Sequence, residues 1–399
     1  MEEWKEYKEE KLGNYILDIA AGPFGSNLKV ECFVPDGFPI IDGANLKEFK
    51  VTDNVTKFVT EEKARSLHRS IAKRNDVVVT ISGNVGQISY IPMDSKYEEY
   101  LVSQRQFRAT FDSTKVYVPY LVYFFHTQLG QHKILSFANQ TGVPALAQPL
   151  KNFKNIDICL PNISLQKQIA SILKSLDDKI EVNRKINENL EQQAQALFKS
   201  WLKKCEDEVT IGDLSLNITD YTKCEQKQVV LINSSDVTEG RFEHHNLSEN
   251  KNLKGHFKKR FQIGDILYSQ VRPRNRHWGY CTFNADIYLA STQLMVIRNK
   301  ANIISSILLY QYIIDDNVWM DFTLKTETRS GTFPQGNYED LSSIKVPFGA
   351  DTEEISKNLE SIYSIIYNNE TESRRLAELR DTLLPKLMSG ELKVNEIEV

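Results

Sequence analysis

The 399-residue sequence lacks the signatures of the common catalytic sites. It has no GxGxxG or GxxxxGK[ST] loop, which excludes the usual nucleotide cradles. It also has no HExxH, no GxSxG and no Asn/Asp-Pro-Pro-aromatic tetrapeptide of an adenine methyltransferase pocket. Acid-x-Lys triplets, such as Glu6–Lys8, are expected by chance in a chain with 26% charged residues. We therefore expect no catalytic centre, no cofactor and no metal site.

Cysteines and long apolar runs are also scarce. The five cysteines are scattered and form no CxxC pair, which argues against disulfides and zinc and for a reducing compartment. No run reaches the roughly 18 apolar residues of a membrane span, and the N-terminal residues lack a signal-peptide stretch. We therefore expect a cytoplasmic protein without membrane contact. The net charge of −4 does not by itself indicate nucleic-acid binding. Binding depends on local basic patches, so the distribution of charge along the chain is the relevant property.

The length predicts two domains, and an internal repeat supports that expectation. Similar segments recur in the same order at an offset of about 186 to 189 residues: Arg74–Thr80 with Ile263–Ser269, Leu101–Gln104 with Leu289–Thr292, Thr141–Pro144 with Ser330–Pro334, and Ile156–Pro161 with Ile344–Pro347. In each half, β-rich runs alternate with helical stretches such as Thr60–Ala72 and Tyr120–Ser136. Each half therefore predicts an α+β domain.

A long helix is expected at the end of each half. Between Pro161 and Leu202 there is no glycine and no further proline, and apolar residues recur every four and three positions in alternation. This heptad seam is typical of a coiled coil. The second helix is expected to begin near Asp351 with a capping box at Glu354, and to close at Pro385 and Gly390. Its seam matches the first after a shift of 186 residues.

Polar residues interrupt both seams at their centres: Asn183 and Asn187 in the first, Asn369 and Ser373 in the second. A buried asparagine in a seam costs stability but fixes register and partner. Antiparallel pairing would place Asn183 opposite Ser373 and Asn187 opposite Asn369. The alternative is two separate surface helices. Arg380 stands where the first seam has Ala194, and it either weakens one end of the coiled coil or contacts a partner.

The second half contains a basic segment. Eight positive residues and one acid, Asp265, lie between Lys251 and Arg276. Arginine forks pair with phosphate or guanine edges and asparagine pairs with adenine, so a proline-broken loop of this composition suits DNA contact. The alternative is a solvated charged loop. The candidate contacts here are Lys258, Lys259, Arg272, Arg274, Asn275 and Arg276.

The remaining candidates form a thinner set at matching places of the two halves. In the first half, Lys29 ends a glycine-rich loop, and Gln104, Arg105 and Arg108 mix base-reading with phosphate-holding side chains. The alternative to DNA contact for this stretch is that Gln104 and Gln106 are buried at alternate positions of a strand. Gln140 precedes Gly142, and Lys325 and Arg329 precede Gly331. Different polar residues at matching places are expected if each half of the chain binds a different short DNA sequence.

These residues suggest a family. Over essentially its full length, the chain resembles the specificity subunit of type I restriction–modification systems. The resemblance is carried by Gly22–Lys29, Phe38–Leu46 and Val78–Gly86, and most specifically by the helical stretches Gln168–Leu202 and Arg375–Leu392.

The resemblance implies an α+β fold with two similar target-recognition domains and two long helices that form an antiparallel coiled coil, as a pseudo-twofold internal repeat. The expected bounds are 1–160 for the first domain, 161–204 for the first helix, 205–349 for the second domain, 350–390 for the second helix and 391–399 for a tail. Each helix, at about 40 residues, would be a rod of roughly 60 Å that sets the spacing of the half-sites.

The resemblance also implies a non-catalytic subunit that reads a bipartite, asymmetric target in double-stranded DNA. Members of the family bind two copies of an adenine-N6 methyltransferase subunit and join translocase and endonuclease subunits. Three alternatives stay open at this point: the target-recognition subunit of a related two-subunit cutter–methylase, a self-contained DNA-modifying enzyme, and a coiled-coil scaffold that touches no DNA.

Overall fold

The computed structural model describes residues 8–139, 144–251, 253, 255–301, 303–327, 334–349 and 351–396. The chain divides into two compact units. Unit 1 comprises Met1–Glu181 and Ser373–Val399, and unit 2 comprises Val182–Glu372. Each unit contains one α+β domain and one half of each of two long helices.

The domain of unit 1 is built from short strands and helices. Its strands are β1 (Glu9–Lys11), β2 (Ile16–Ala21), β3 (Phe33–Val34), β4 (Phe38–Ile41), β5 (Phe58–Val59), β6 (Ile71–Lys73), β7 (Val77–Thr80), β8 (Ile88–Tyr90), β9 (Glu99–Val102), β10 (Gln106–Phe111), β11 (Ala138–Asn139), β12 (Ala145–Leu146) and β13 (Asp157–Cys159). Its helices are α1 (Glu61–Ser66), α2 (Val118–His126), α3 (Gln128–Leu135) and α4 (Pro149–Lys154), and the first long helix is α5 (Ile163–Leu202).

Two sheets form the centre of this domain. One has the antiparallel order β2-β10-β7-β8, and the other has the order β3-β5-β4-β9-β6 with β4 and β9 parallel. Helix α2 is buried along nearly its whole length against the first sheet. Strands β1 and β13 pair with each other, so the two ends of the domain meet where α5 begins.

The domain of unit 2 repeats these elements. Its strands are β14 (Asp207–Thr210), β15 (Ser215–Asn217), β16 (Gln228–Ile232), β17 (Val237–Thr238), β18 (Arg241–Phe242), β19 (Leu247–Glu249), β20 (Phe257–Lys259), β21 (Ile266–Ser269), β22 (Trp278–Tyr280), β23 (Tyr288–Ser291), β24 (Leu294–Asn299) and β25 (Lys345–Phe348). Its helices are α6 (Ile211–Leu214), α7 (Ser306–Ile314), α8 (Asp316–Glu327) and α9 (Tyr338–Ser342), and the second long helix is α10 (Thr352–Ser389).

The topology of unit 2 matches that of unit 1. The sheet β15-β24-β21-β22 has the strand order of β2-β10-β7-β8, and β16 and β23 form the parallel pair that corresponds to β4 and β9. Strands β14 and β25 close this domain as β1 and β13 close the other. The internal repeat predicted from the sequence, and the α+β class of each half, are confirmed.

Two of the helices expected from the sequence are divided in the structure. The stretch Thr60–Ala72 is α-helical only from Glu61 to Ser66 in α1. A 3-10 turn follows at His68–Ser70, and the end of the stretch enters strand β6, which pairs with β9. The stretch Tyr120–Ser136 forms α2 and α3, because Thr127 between them is extended and its hydroxyl accepts a hydrogen bond from the Gly130 amide. The sequence pattern predicts Thr127 inside one helix, whereas in the structure Thr127 caps the start of a second helix.

The two long helices have 40 and 38 residues, close to the expected bounds, but the expected ends of α10 need correction. Asp351 has a φ of 64°, which is not the extended conformation of a capping residue. Pro385 does not end α10, although the helix lacks one backbone donor there. The burial of Leu384 and Leu387 keeps the last turn in place, and Gly390, with a φ of 72°, follows the helix end.

Within unit 1, the first part of α5 runs antiparallel to the last part of α10. Both helices contribute to the core of the domain, through Ile169, Ala170, Leu173, Leu384, Leu387 and Met388. Arg380 belongs to the same contact. Its guanidinium donates to the Asp177 carboxylate at 2.6 Å and lies 5.0 Å from the ring centroid of Phe49. The other Asp177 oxygen accepts a hydrogen bond from the Tyr123 hydroxyl of α2.

Unit 2 uses different residues at the corresponding places. Gln311 on α7 stands where unit 1 has Tyr123, and it donates to the Tyr363 hydroxyl of α10 at 2.7 Å. Ala194 is fully buried at the position that corresponds to Arg380. A polar tie between the domain and the helix pair is therefore present in both units, but it is ionic only in unit 1. Arg380 has an intramolecular partner within its own unit.

Within unit 2, the polar residues of the seam are bonded to one another. Asn369 Nδ2 donates to Asn187 Oδ1 at 2.8 Å, as antiparallel pairing requires. Asn183 Nδ2 donates to the Glu372 carboxylate at 2.7 Å and lies 3.4 Å from the Asn369 carbonyl. Asn183 and Asn187 are both buried, so these bonds offset the cost of desolvating their amides. The pairing of Asn183 with Ser373 stays a prediction.

Candidate nucleic-acid interface

In unit 1, backbone hydrogen bonds join three loops at one end of the sheet β2-β10-β7-β8. The loop after β7 donates from the Ile81 amide to the Arg105 carbonyl at 2.7 Å. The Ile81 carbonyl accepts from the Leu146 amide at 2.8 Å, and the Gly83 amide donates to the Pro144 carbonyl at 3.2 Å. Because these bonds are backbone bonds, they fix the loops without using the side chains that the loops carry.

A fourth loop, Gly22–Lys29, packs against the same place. A Cβ atom on Gly22 would lie 1.9 Å from the Ser103 carbonyl oxygen, so only glycine permits this approach. The side chain of Gln104 lies over Gly25, where an added Cβ would come within 2.7 Å of its Oε1 atom. Gln104, Arg105 and Lys29 are all exposed. The structure thus brings Gln104 and Arg105 together on one turn, next to the loop that Lys29 ends.

The corresponding loops of unit 2 have the same backbone framework. The Gln270 amide donates to the Gln293 carbonyl at 2.9 Å, as Ile81 donates to Arg105 in unit 1. The Gln270 carbonyl accepts from the Gly336 amide at 2.8 Å, and the Arg272 amide donates to the Pro334 carbonyl at 3.1 Å. These three bonds assign Arg272 to the position of Gly83 and Gln293 to the position of Arg105.

The backbone of this loop is unusual for the residues it carries. Arg272 has a φ of 48° and Arg276 a φ of 52°, both in the left-handed region. The corresponding residues of unit 1 are Gly83, with a φ of 89°, and Gly86, with a φ of 87°. A side chain in this region costs about 1 kcal/mol or more relative to glycine, and such strain concentrates at functional sites. In unit 2, two arginines therefore occupy strained left-handed backbone positions that are glycine in unit 1.

The other side chains of the loop have different environments. Arg274 is 73% exposed and forms a two-bond ion pair with Glu327, at 2.5 and 2.8 Å. Arg276 bonds Asp316 at 2.9 Å, and its guanidinium lies 4.2 Å from the ring centroid of Trp319. Arg276 therefore holds the loop against α8, whereas Arg272, Arg274 and Asn275 are exposed on its surface.

Four predicted contact residues lie away from these loops. Arg108 is buried, and its guanidinium bonds Asp18 at 2.6 Å and the Arg69 carbonyl at 3.1 Å. The Lys259 ammonium is buried against the Leu294 carbonyl at 2.7 Å, and burial lowers its pKa. Lys325 bonds the Ser343 hydroxyl at 2.6 Å, and Lys258 lies 4.7 Å from the ring centroid of Tyr221.

The geometry gives Arg108, Lys259 and Lys325 internal roles. Arg108 and Lys259 lie on strands with their charged groups turned inward, and Lys325 ties α8 to α9. Their DNA contacts stay predictions. Gln140 and Arg329, which were also predicted to contact DNA, lie outside the described residues. The pattern of charges along the chain could not distinguish an arginine that bonds inside the fold from one on the surface.

Gln293 was missed as a candidate. It is exposed on the turn between β23 and β24, at the place of Arg105. The signal was in the sequence, because the matched segments Leu101–Gln104 and Leu289–Thr292 end one residue before Arg105 and Gln293. Extending that match by one residue would have found it.

Two further observations concern the part of the chain that the structure describes. No helix there has an apolar stretch long enough for a membrane crossing. No group of three or more His, Cys, Asp or Glu side chains in these residues could hold a metal ion.

Comparison with known proteins gives matches to type I restriction specificity subunits. Residues 33–192 match the family described as "Type I restriction modification DNA specificity domain". The HindI specificity subunit of Haemophilus influenzae is 37% identical over 142 residues, which are 35% of this chain and 30% of that subunit's length. The MjaIX specificity subunit of Methanocaldococcus jannaschii is 21% identical over 98% of both chains.

A solved structure supports the fold over nearly the full length. The type I restriction–modification S subunit from M. genitalium aligns with 96% of this chain and 96% of its own, with a TM-score of 0.56 and 15% sequence identity. This similarity bears on the fold and confirms the architecture of two domains and two long helices that was expected from the sequence.

Proposed function

The chain belongs to the family of type I restriction–modification specificity subunits, and from this premise we propose that it reads a bipartite DNA target. Each unit reads one half of the target. The chain contributes recognition and no catalytic step, and the chemistry belongs to its partners.

The observation that carries this proposal is the repeated loop framework. Both units hold three loops at the end of one sheet by equivalent backbone bonds. The exposed side chains on these frameworks differ: Gln104 and Arg105 in unit 1, Arg272, Arg274 and Asn275 in unit 2. One scaffold with two sets of polar side chains is expected of a protein that reads two different short sequences. It would position the backbone of DNA by charge and select bases in the grooves.

The assembly follows from the family. We propose that the chain binds two copies of an adenine-N6 methyltransferase subunit, as expected of an internal repeat with two equivalent surfaces. Translocase and endonuclease subunits join this core. The target-recognition domains span residues 1–160 and 205–349, and the pairing of β1 with β13 and of β14 with β25 near these limits supports the bounds.

The test is selection of DNA from a random duplex pool by the chain in complex with its methyltransferase subunit. The expected result is enrichment of two short conserved elements separated by a fixed number of unselected base pairs. Enrichment of a single continuous element would contradict reading by two units. Absence of any enrichment would favour a scaffold that does not read DNA.

The spacing of the two elements has its own test. We propose that the length of the helix pair sets the gap, so inserting four residues after Lys185 in α5 and after Glu370 in α10 should change the permitted gap. These two points face each other between the bonded pairs Asn183–Glu372 and Asn187–Asn369, so both pairs are retained. Elements with an unchanged gap after both insertions would show that the helices do not set it. Circular dichroism of the variant provides the control for retained helix content.

A further inference from the structure

The exposed arginines of the two loop frameworks lie on different loops. In unit 1, the arginine is Arg105, on the turn between β9 and β10, in addition to Lys29 at the end of its own loop, and the loop after β7 has no cation between Ile81 and Gln87. In unit 2, the turn between β23 and β24 carries Thr292 and Gln293, which are uncharged. There the cations are on the loop after β21. The arginine therefore lies on the turn between β9 and β10 in unit 1, whereas the arginines lie on the loop after β21 in unit 2.

The two arrangements nevertheless converge on one place. Arg105 Nη1 lies 3.8 Å from the position that a Cβ atom on Gly83 would occupy, and apart from the chain neighbours of Gly83 no other described residue comes within 4 Å of that position. In unit 2, the residue that corresponds to Gly83 is Arg272, by its amide bond to the Pro334 carbonyl. The side chain of Arg272 therefore leaves the backbone at the point that the guanidinium of Arg105 covers in unit 1.

The backbone conformation supports a requirement for this side chain. Gly83 adopts its φ of 89° without cost, because it has no Cβ atom. Arg272 adopts a φ of 48° and bears the strain that an L-residue has there. Strain of this kind persists where a side chain is needed at that position. The turn that would otherwise supply the charge has Gln293 instead.

We propose that Arg105 and Arg272 are the corresponding specificity-determining cations of the two units, placed at equivalent points by different loops. The inference rests on the proposed function and adds which residues act and how they correspond. Their ligand is the phosphate or guanine edge of duplex DNA, which guanidinium groups bind by paired hydrogen bonds. Gln104 precedes Arg105 on the turn of unit 1, and Gln293 stands at the position of Arg105 on the turn of unit 2. Each glutamine adds an exposed amide beside the arginine of its unit.

The test measures affinity for the selected duplex by the complex with the methyltransferase subunit, as a function of salt. Each variant takes the residue of the other repeat: Arg105→Gln and Arg272→Gly. Each should weaken binding about tenfold and reduce the slope of log affinity against log salt by about one. Arg65→Gln is the matched control, since Arg65 is exposed in unit 1 and pairs with Glu61 and Glu99 outside the loop set. It should bind as the unmodified complex does.

Duplexes with one half of the target scrambled separate the two units. Arg105→Gln should abolish discrimination at one half only, and Arg272→Gly at the other half only.

The rescue variant is Arg272→Gly with Gln293→Arg, which rebuilds the arrangement of unit 1 in unit 2 and should restore the salt slope. Arg272→Gly should not lower the melting temperature, because glycine relieves the left-handed backbone. Gly83→Arg with Arg105→Gln provides the reciprocal rescue if the first fails to fold.

The outcomes distinguish this inference from the proposed function. If the unmodified complex does not prefer the selected duplex, the proposed function fails and the inference fails with it. If that complex discriminates but both single variants keep its affinity and salt slope, only the inference is overturned. Loss at the same half in both variants, or a folded rescue variant that regains no slope, would also overturn it.

Discussion

The ion pair between Arg380 and Asp177 should be a main link between the domain of unit 1 and its helices. The side chains are only 19% and 14% exposed, and the bond length is 2.6 Å. Removing one partner leaves the other charge desolvated without compensation, which costs about 3 kcal/mol or more. Arg380→Ala, which installs the residue that Ala194 provides in unit 2, should therefore destabilise unit 1 by roughly 3 kcal/mol.

The assay is native-state hydrogen exchange followed by mass spectrometry, because a chain of two units need not unfold in one step. Peptides of α2 should lose protection by the stated amount, since Tyr123 of α2 bonds the same carboxylate. Lys357→Ala is the control, because its pair with Glu353 on α10 has side chains 69% and 84% exposed and is screened by solvent, so its loss should change stability little. Equal effects of Arg380→Ala and Lys357→Ala would refute the reasoning. So would full additivity with Asp177→Asn in a double-mutant cycle.

Three further predictions concern single residues. Gly22→Ala should destabilise unit 1 by about 1–3 kcal/mol in urea unfolding and weaken DNA binding, since its Cβ would meet the Ser103 carbonyl, whereas Gly255→Ala, with nothing within 4 Å, should do neither. Burial raises the pKa of Asp178, but bonds from Lys174 and Lys50 outweigh it and lower the pKa below its ordinary 3.8, so the stabilisation is present above pH 3.8 and lost as the pH falls through the lowered value. Asp178→Asn should therefore be less stable than the unmodified chain at neutral pH and equal to it in strong acid; a constant difference across the acid range would contradict this. Glu327→Gln should strengthen DNA binding about two- to fivefold at low salt, because Glu327 competes with phosphate for Arg274; unchanged affinity in a salt titration would mean that Arg274 keeps its partner on DNA.

The sequence predicted the repeat and the long helices because both depend on regular spacing. Heptad periodicity over some 40 residues indicates a long helix, and collinear similar segments indicate two similar domains, although they do not give the strand order within each sheet. Local signals were weaker. The division of Tyr120–Ser136 at Thr127 depends on one hydroxyl that caps the following helix, and an apolar pattern does not reveal it.

The candidate interface was predicted in outline but not residue by residue. The loop Arg272–Arg276 was identified from its charge, and the structure places it in the framework where Gln104 and Arg105 lie in the other unit. Charge alone did not show that Arg108 bonds Asp18 inside the fold, or that Lys259 is buried against a carbonyl. These outcomes depend on which face of a strand a residue occupies, and therefore on tertiary packing.

The central claim is that two copies of one scaffold read two different sequences. Its most direct measurement is single-molecule mapping of N6-methyladenine in DNA modified by the chain with its methyltransferase subunit. The expected result is a motif with two unlike halves and a fixed gap, in which Arg272→Gly relaxes one half and leaves the other intact. A palindromic motif, a continuous motif, or relaxation of both halves together would contradict it.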